Sequence, residues 1–118
     1  MTDPAGRAKV QLREIQKLAW DNKIAKGFNT TDLYLEVALA HAELSELLGA
    51  IRKKPEEIGE ELADVLLFLA SIAEMTGVDL DAAVETKMAK NAARTYRALD
   101  NGVLVKTDDT IAAEQQAS

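Results

Sequence analysis

Residues 32–53 read DLYLEVALAHAELSELLGAIRK, and residues 54–77 continue KPEEIGEELADVLLFLASIAEMTG. Both stretches space their apolar residues by three and four, the period of an amphipathic helix. On a wheel of about 100° per residue, Leu33, Leu35, Val37, Leu39, Leu44, Leu47 and Ile51 fill one wide arc. Glu36, Glu43 and Glu46 fall inside that arc, while Tyr34, His41, Ser45 and Arg52 occupy the opposite side. In the next stretch Glu61 projects between Phe68 and Ile72, within the arc of Ile58, Leu62, Val65 and Leu69, and Asp64 lies at its edge. Lys54-Pro55 breaks the two helices apart, and so short a link sets them antiparallel.

A carboxylate turned toward a hydrocarbon core costs several kcal/mol unless something positive meets it. One inward Glu is explained by a Lys or Arg on another helix, or by an arc whose rim reaches water. Here there are two pairs at i, i+3, Glu43 with Glu46 and Glu61 with Asp64, on consecutive antiparallel helices. Each spacing puts two carboxylates on one side, a turn apart. Four oxygen ligands with no softer donor suit Mg²⁺ or Mn²⁺, which keep waters and engage phosphate oxygens. Glu36, one helical repeat before Glu43, is assigned a supporting or interfacial role.

Outward from this core, the sequence predicts two more helices. The first opens at Asp3-Pro4, carries Ala8, Leu12, Ile15 and Ala19 on one stripe, and stops at Gly27. The last is capped by Asp79, runs from about Leu80 to Leu99 and closes at Asn101-Gly102. The expected fold is all-α, an antiparallel four-helix bundle forming one domain over residues 1–102. Residues 103–118 form a tail, extended or partly disordered. Leu67, on the otherwise polar side of the third helix, together with that helix's apolar character, predicts assembly as a dimer or higher oligomer.

Composition agrees. Twenty alanines and fifteen leucines among 118 residues, with aromatics at only 4%, favour helices over a β-sandwich or barrel. The absence of cysteine removes disulfides, thiolate nucleophiles and Cys-based metal sites. The longest apolar run, Val65 to Ala73 around Ser71, is about half a membrane span. No basic and hydrophobic signal segment opens the chain, so the expectation is a soluble, cytoplasmic protein with no membrane partner. A net charge of −6 does not suit wrapping of a nucleic acid polymer. The acids concentrate in residues 32–64.

In the last helix Lys87, Asn91 and Arg94 step by four and three along one stripe. An ammonium, an amide and a guanidinium together suit a polyphosphate. Trp20, the one tryptophan, lies off the first helix's stripe and either stacks on a flat ligand or packs against another subunit. Phe28 and Asn29 are weaker candidates for contact with such a ligand, and His41 is expected at the surface or an interface. A di-iron carboxylate bundle would need Glu-x-x-His pairs, and the single histidine follows Ala38 instead. No nucleophile elbow supports a serine hydrolase. The rival from another class is a non-enzymatic helical interaction module.

Glu43-Leu44-Ser45-Glu46, then fourteen residues, then Glu61-Leu62-Ala63-Asp64, resembles the metal motif of the MazG-like, all-α nucleoside triphosphate pyrophosphohydrolases. The resemblance continues through Gly77-Val78-Asp79-Leu80 and Lys87-Met88-Ala89-Lys90-Asn91-Ala92-Ala93-Arg94, and spans roughly Leu33 to Arg97. It implies hydrolysis of a nucleoside triphosphate to a monophosphate and pyrophosphate. Glu43, Glu46, Glu61 and Asp64 would be the Mg²⁺ ligands, and a ligand stacked on Trp20 would be a nucleobase. Many members carry a second Glu where this chain has Ala42, and a Tyr where it has Phe68. That leaves two routes to an activated water: Glu46 or Glu43 takes its proton, or the metal lowers the pKa of its own water.

Overall fold

The structure, a computed structural model, describes residues 11–106 and is mostly helical. Helix α1 spans Leu12–Lys26, α2 Leu33–Lys53, α3 Ile58–Thr76 and α4 Leu80–Ala93, with a single 3₁₀ turn at Pro55–Glu57. The expected start at Asp3-Pro4 lies outside the described residues. Those residues fall into two compact units, one running to Ala83 and one from Val84.

The helix ends follow local chemistry. Gly27 and Gly77 adopt φ values of 74° and 71°, the left-handed conformation that closes α1 and α3. The N–H groups of Phe28 and Val78 donate back to the carbonyls of Lys23 and Ala73. Asp32 caps α2, its carboxylate accepting from the Leu35 N–H at 3.0 Å. Asn29 holds Asp32 in place through its own side chain, which donates to the Asp32 carbonyl and accepts from its N–H. The start of α1 is capped from a distance: the Leu12 N–H donates to Asp81 Oδ1 at the beginning of α4.

In the first unit α3 packs against both α1 and α2. Gln16 bonds Glu74, Lys23 lies over Phe68, and Glu43 and Glu46 meet Glu61. Rising numbers on α1 thus match falling numbers on α3, and so do those on α2, where Glu36 is tied through Lys23 to the level of Phe68 while Glu43 and Glu46 meet Glu61. Both helices run antiparallel to it, α1 along its C-terminal part and α2 toward its N-terminal part.

The buried apolar side chains among the described residues are all alanines, Ala40, Ala50, Ala70 and Ala73. Small residues let the helices approach closely, while Leu35, Leu44, Leu48, Ile51, Leu62 and Leu69 stay exposed on α2 and α3. On α1 the buried positions are polar, Gln16 and Lys23, and Ile15 is exposed. Gln16 satisfies its amide through Glu74, the Val78 carbonyl and the Leu80 N–H.

The second unit corrects the expected end of the last helix. Helix α4 stops at Ala93, and Tyr96–Ala98 (β1) pairs antiparallel with Leu104–Lys106 (β2). Thr95-Tyr96-Arg97 favours strand, and Asn101-Gly102 is a hairpin signal that the helical reading took for a helix stop. Gly102, at φ 85°, supplies the left-handed turn residue. No helix among the described residues is long and apolar enough to cross a membrane.

Candidate active site

The inward carboxylates of α2 and α3 converge. One oxygen from each of Glu43, Glu46 and Glu61 lies within 4.8 Å of the others. Glu43 and Glu61 are half-buried, and Oε2 of each is enclosed with no hydrogen-bond partner. An anionic oxygen in that condition is costly. The Glu43 carboxyl is pushed up to about 7, first by its hydrogen bond with Glu46, then by burial, then by the charges of Glu46, Asp64 and Glu61. Glu61 is raised as well, first by burial and then by the charges of Glu46 and Asp64. Asp64 stands outside the tight cluster yet close enough for its charge to bear on both.

This donor set, all carboxylate and under-neutralised, fits a hard divalent cation. The two enclosed oxygens lack the positive partner that such a cation would provide.

Asp64 also lines a cavity of about 470 Å³ between α1 and α3. Its wall is mostly apolar, with Leu18, Phe28, Leu67 and Phe68 prominent, and the volume is in the range of small-molecule sites. Four polar side chains reach it: Asn22, Lys23, Asp64 and Ser71. Lys23 Nζ donates to Glu36 Oε2 at 2.8 Å and lies 5.5 Å from the centre of the Phe68 ring. Glu36, completely buried, accepts a further contact from Asn29 at 3.3 Å. The supporting role assigned to Glu36 thus has a specific partner.

Sequence reasoning did not single out Asn22 or Lys23. The signal was available, because the stripe Leu12, Ile15, Ala19 continues with the same step onto Asn22 and Lys23. Trp20 is half-buried and does not line the cavity, whereas Phe28 does. His41 is exposed. In the second unit Lys87 and Asn91 are exposed on α4. Arg94 follows the end of that helix and donates from Nη1 to Asn91 Oδ1 at 3.2 Å.

Fold and site define a class: an all-α protein whose convergent carboxylates, on two antiparallel helices, adjoin an apolar cavity. Residues 34–97 match the MazG nucleotide pyrophosphohydrolase domain, and the chain belongs to that family. A dATP/dGTP diphosphohydrolase of cyanophage S-2L is 39% identical over 67 residues, a match covering 48% of this chain and 64% of the relative. The chain thus spans a little under two thirds of that relative's length. A solved cyanophage S-2L MazG-like pyrophosphohydrolase, bound to dGDP and three catalytic Mn²⁺ ions per active site, is also similar. It superposes with a TM-score of 0.67 at 25% identity, over 86% of this chain and 96% of its own.

Proposed function

We propose that this chain is a divalent-metal-dependent nucleotide pyrophosphohydrolase, cleaving a (deoxy)nucleoside triphosphate to the monophosphate and pyrophosphate. The observation that carries the reading is the convergence of Glu43, Glu46 and Glu61, with two enclosed and unpartnered oxygens, next to a cavity that Asp64 adjoins. Family membership supports it, as do the dATP/dGTP activity in the name of the cyanophage relative and the dGDP and Mn²⁺ of the solved neighbour.

Glu43, Glu46, Glu61 and Asp64 would hold Mg²⁺ or Mn²⁺. When bound, such a cation neutralises phosphate charge and lowers the pKa of a water. The carboxylates of Glu43 and Glu46 are the groups available to take the proton of the attacking water, since Ala42 offers none. The cavity takes the base, with Phe28 and Phe68 as its flat apolar walls. That assignment moves the stacking role from Trp20 to Phe28 and Phe68 and leaves Trp20 for packing between subunits. Lys87, Asn91 and Arg94 bind the polyphosphate, as their donor chemistry suits. The exposed apolar residues of α2 and α3 meet a second copy of the chain, in a dimer or tetramer working in the cytoplasm.

The test is a nucleotide panel, headed by purine deoxynucleoside triphosphates, assayed for pyrophosphate release with Mg²⁺ and with Mn²⁺. Metal-dependent pyrophosphate release is expected. Silence across the panel, with no metal-induced rise in Tm, would leave the chain a helical interaction module.

A further inference from the structure

The cavity's polar inventory is short, and most of it is committed elsewhere. Lys23 reaches the wall, but its ammonium is tied to the buried Glu36 at 2.8 Å. Asp64 belongs with the carboxylates. Ser71, only 4% exposed, offers a hydroxyl that rotates to donate or to accept, so it cannot discriminate. Asn22 is different. Its side chain lines the cavity from an exposed position next to the anchored Lys23, and makes no hydrogen bond to another described residue, so water is what it binds until a ligand covers it. A primary amide presents a donor and an acceptor side by side in one plane.

We propose that Asn22 reads the edge of the base and is the specificity-determining residue of the pocket. The proposal rests on the reading of the cavity as the base site. A purine with an amino group at position 6 shows a donor beside an unprotonated ring nitrogen. One with an oxo group there shows an acceptor beside a ring N–H. A half-turn of the Asn22 amide exchanges its two ends, so both edges pair equally well. A purine with nothing at position 6 covers one end of the amide, strips its water and offers it no partner. An unmet polar group in such a place is what rejects an analogue. Lys23 contributes by being held: an ammonium free to swing into the cavity would favour oxo bases, and Glu36 prevents this.

The experiment compares dATP, dGTP and the triphosphate of unsubstituted purine deoxyriboside as substrates, by pyrophosphate release. The wild type, Asn22→Leu and Asn22→Asp are each checked for an unchanged melting curve. The wild type is expected to prefer both 6-substituted substrates by about tenfold or more in kcat/KM. In Asn22→Leu that preference should collapse, with kcat/KM falling on both 6-substituted substrates and rising on the unsubstituted one, whose binding no longer strands an amide. Asn22→Asp keeps the shape and loses the donor, and should weaken both 6-substituted substrates. An equal loss on all three substrates, or a preference that survives both substitutions, overturns the proposal. A wild type silent toward every nucleotide overturns the base-site reading itself, and the proposal with it.

Discussion

Lys23 Nζ sits 2.8 Å from Glu36 Oε2 in a pair almost wholly out of water, with Glu36 completely buried and Lys23 8% exposed. Ion pairs of this kind show little net gain over an apolar pair of the same volume, because desolvation offsets the attraction. Removing one partner is another matter, since it strands a charge. The Phe68 ring, 5.5 Å from the ammonium, softens the burial of Lys23 but gives Glu36 nothing.

Glu36→Ala and Lys23→Met should therefore each cost about 3–5 kcal/mol in urea unfolding at neutral pH. The double variant Lys23→Met with Glu36→Leu should regain most of that loss. Single losses below about 1 kcal/mol would mean that water reaches the pair.

This pair also marks what the sequence discloses. Glu36 stands out as an acid in an apolar arc because helical periodicity is a property of one segment. Its partner lies on another helix, and which helix supplies it depends on α1 and α2 both running along α3. The carboxylate cluster was legible for the same reason as Glu36. Two i, i+3 pairs on helices forced antiparallel by Lys54-Pro55 leave little freedom of arrangement. The cavity was not legible, because its wall combines α1, the following loop and α3. Trp20 drew attention by its rarity, and nothing in its periodicity disclosed that Phe28 lines the cavity while Trp20 does not. The hairpin was missed because Asn101-Gly102 serves equally as a helix stop and as a hairpin turn, and only the strand character of Tyr96 and Val105 separates the two.

Glu61→Gln removes a charge from a crowded set and keeps the side chain's shape. The Glu61 carboxyl is raised by burial and by neighbouring acids, so its ionised form is held at a cost without metal. The metal-free variant should melt no lower than wild type. Mg²⁺ or Mn²⁺ should raise the wild-type Tm in a concentration-dependent way, and that response should be lost in the variant. An undiminished metal response would remove Glu61 from the ligand set.

Asp79 accepts from the Ala82 N–H and from Arg13 Nη1, the latter at 2.8 Å, and these bonds hold its carboxyl below the usual range. A lowered folded pKa means that the unfolded chain takes up the proton first as pH falls. The contribution of Asp79 is thus complete above the ordinary carboxylate value of about 3.9 and is lost as pH drops through the lower folded value. Asp79→Asn should melt below wild type at pH 7, and the gap should narrow in acid. A gap that stays constant from neutral pH into acid would rule out this linkage.

Exposed leucine and isoleucine on α2 and α3 make an isolated chain a poor endpoint. Leu48, Ile51 and Leu62 are each about half exposed, at 51%, 55% and 53%. Light scattering in dilute buffer should give a mass at least twice 12.8 kDa. Leu48→Glu should shift it toward the monomer. A monomeric wild type would remove the assembly proposal.

The chemistry is tested by following the oxygen of water. The chain has no cysteine, and no serine among the described residues is paired with a base, so a covalent intermediate lacks a natural nucleophile, and direct attack by water is the simpler course. Attack at the α phosphorus puts the water's oxygen in the monophosphate, whereas attack at the β phosphorus puts it in the pyrophosphate. Hydrolysis in ¹⁸O-labelled water with mass spectrometry of both products separates the two, and the label is expected in the monophosphate. Label in the pyrophosphate would move the attacked phosphorus one position along the chain, so that the base pocket and the carboxylates would have to be spaced for a different register of substrate. Release of single phosphates would place the reaction in another class.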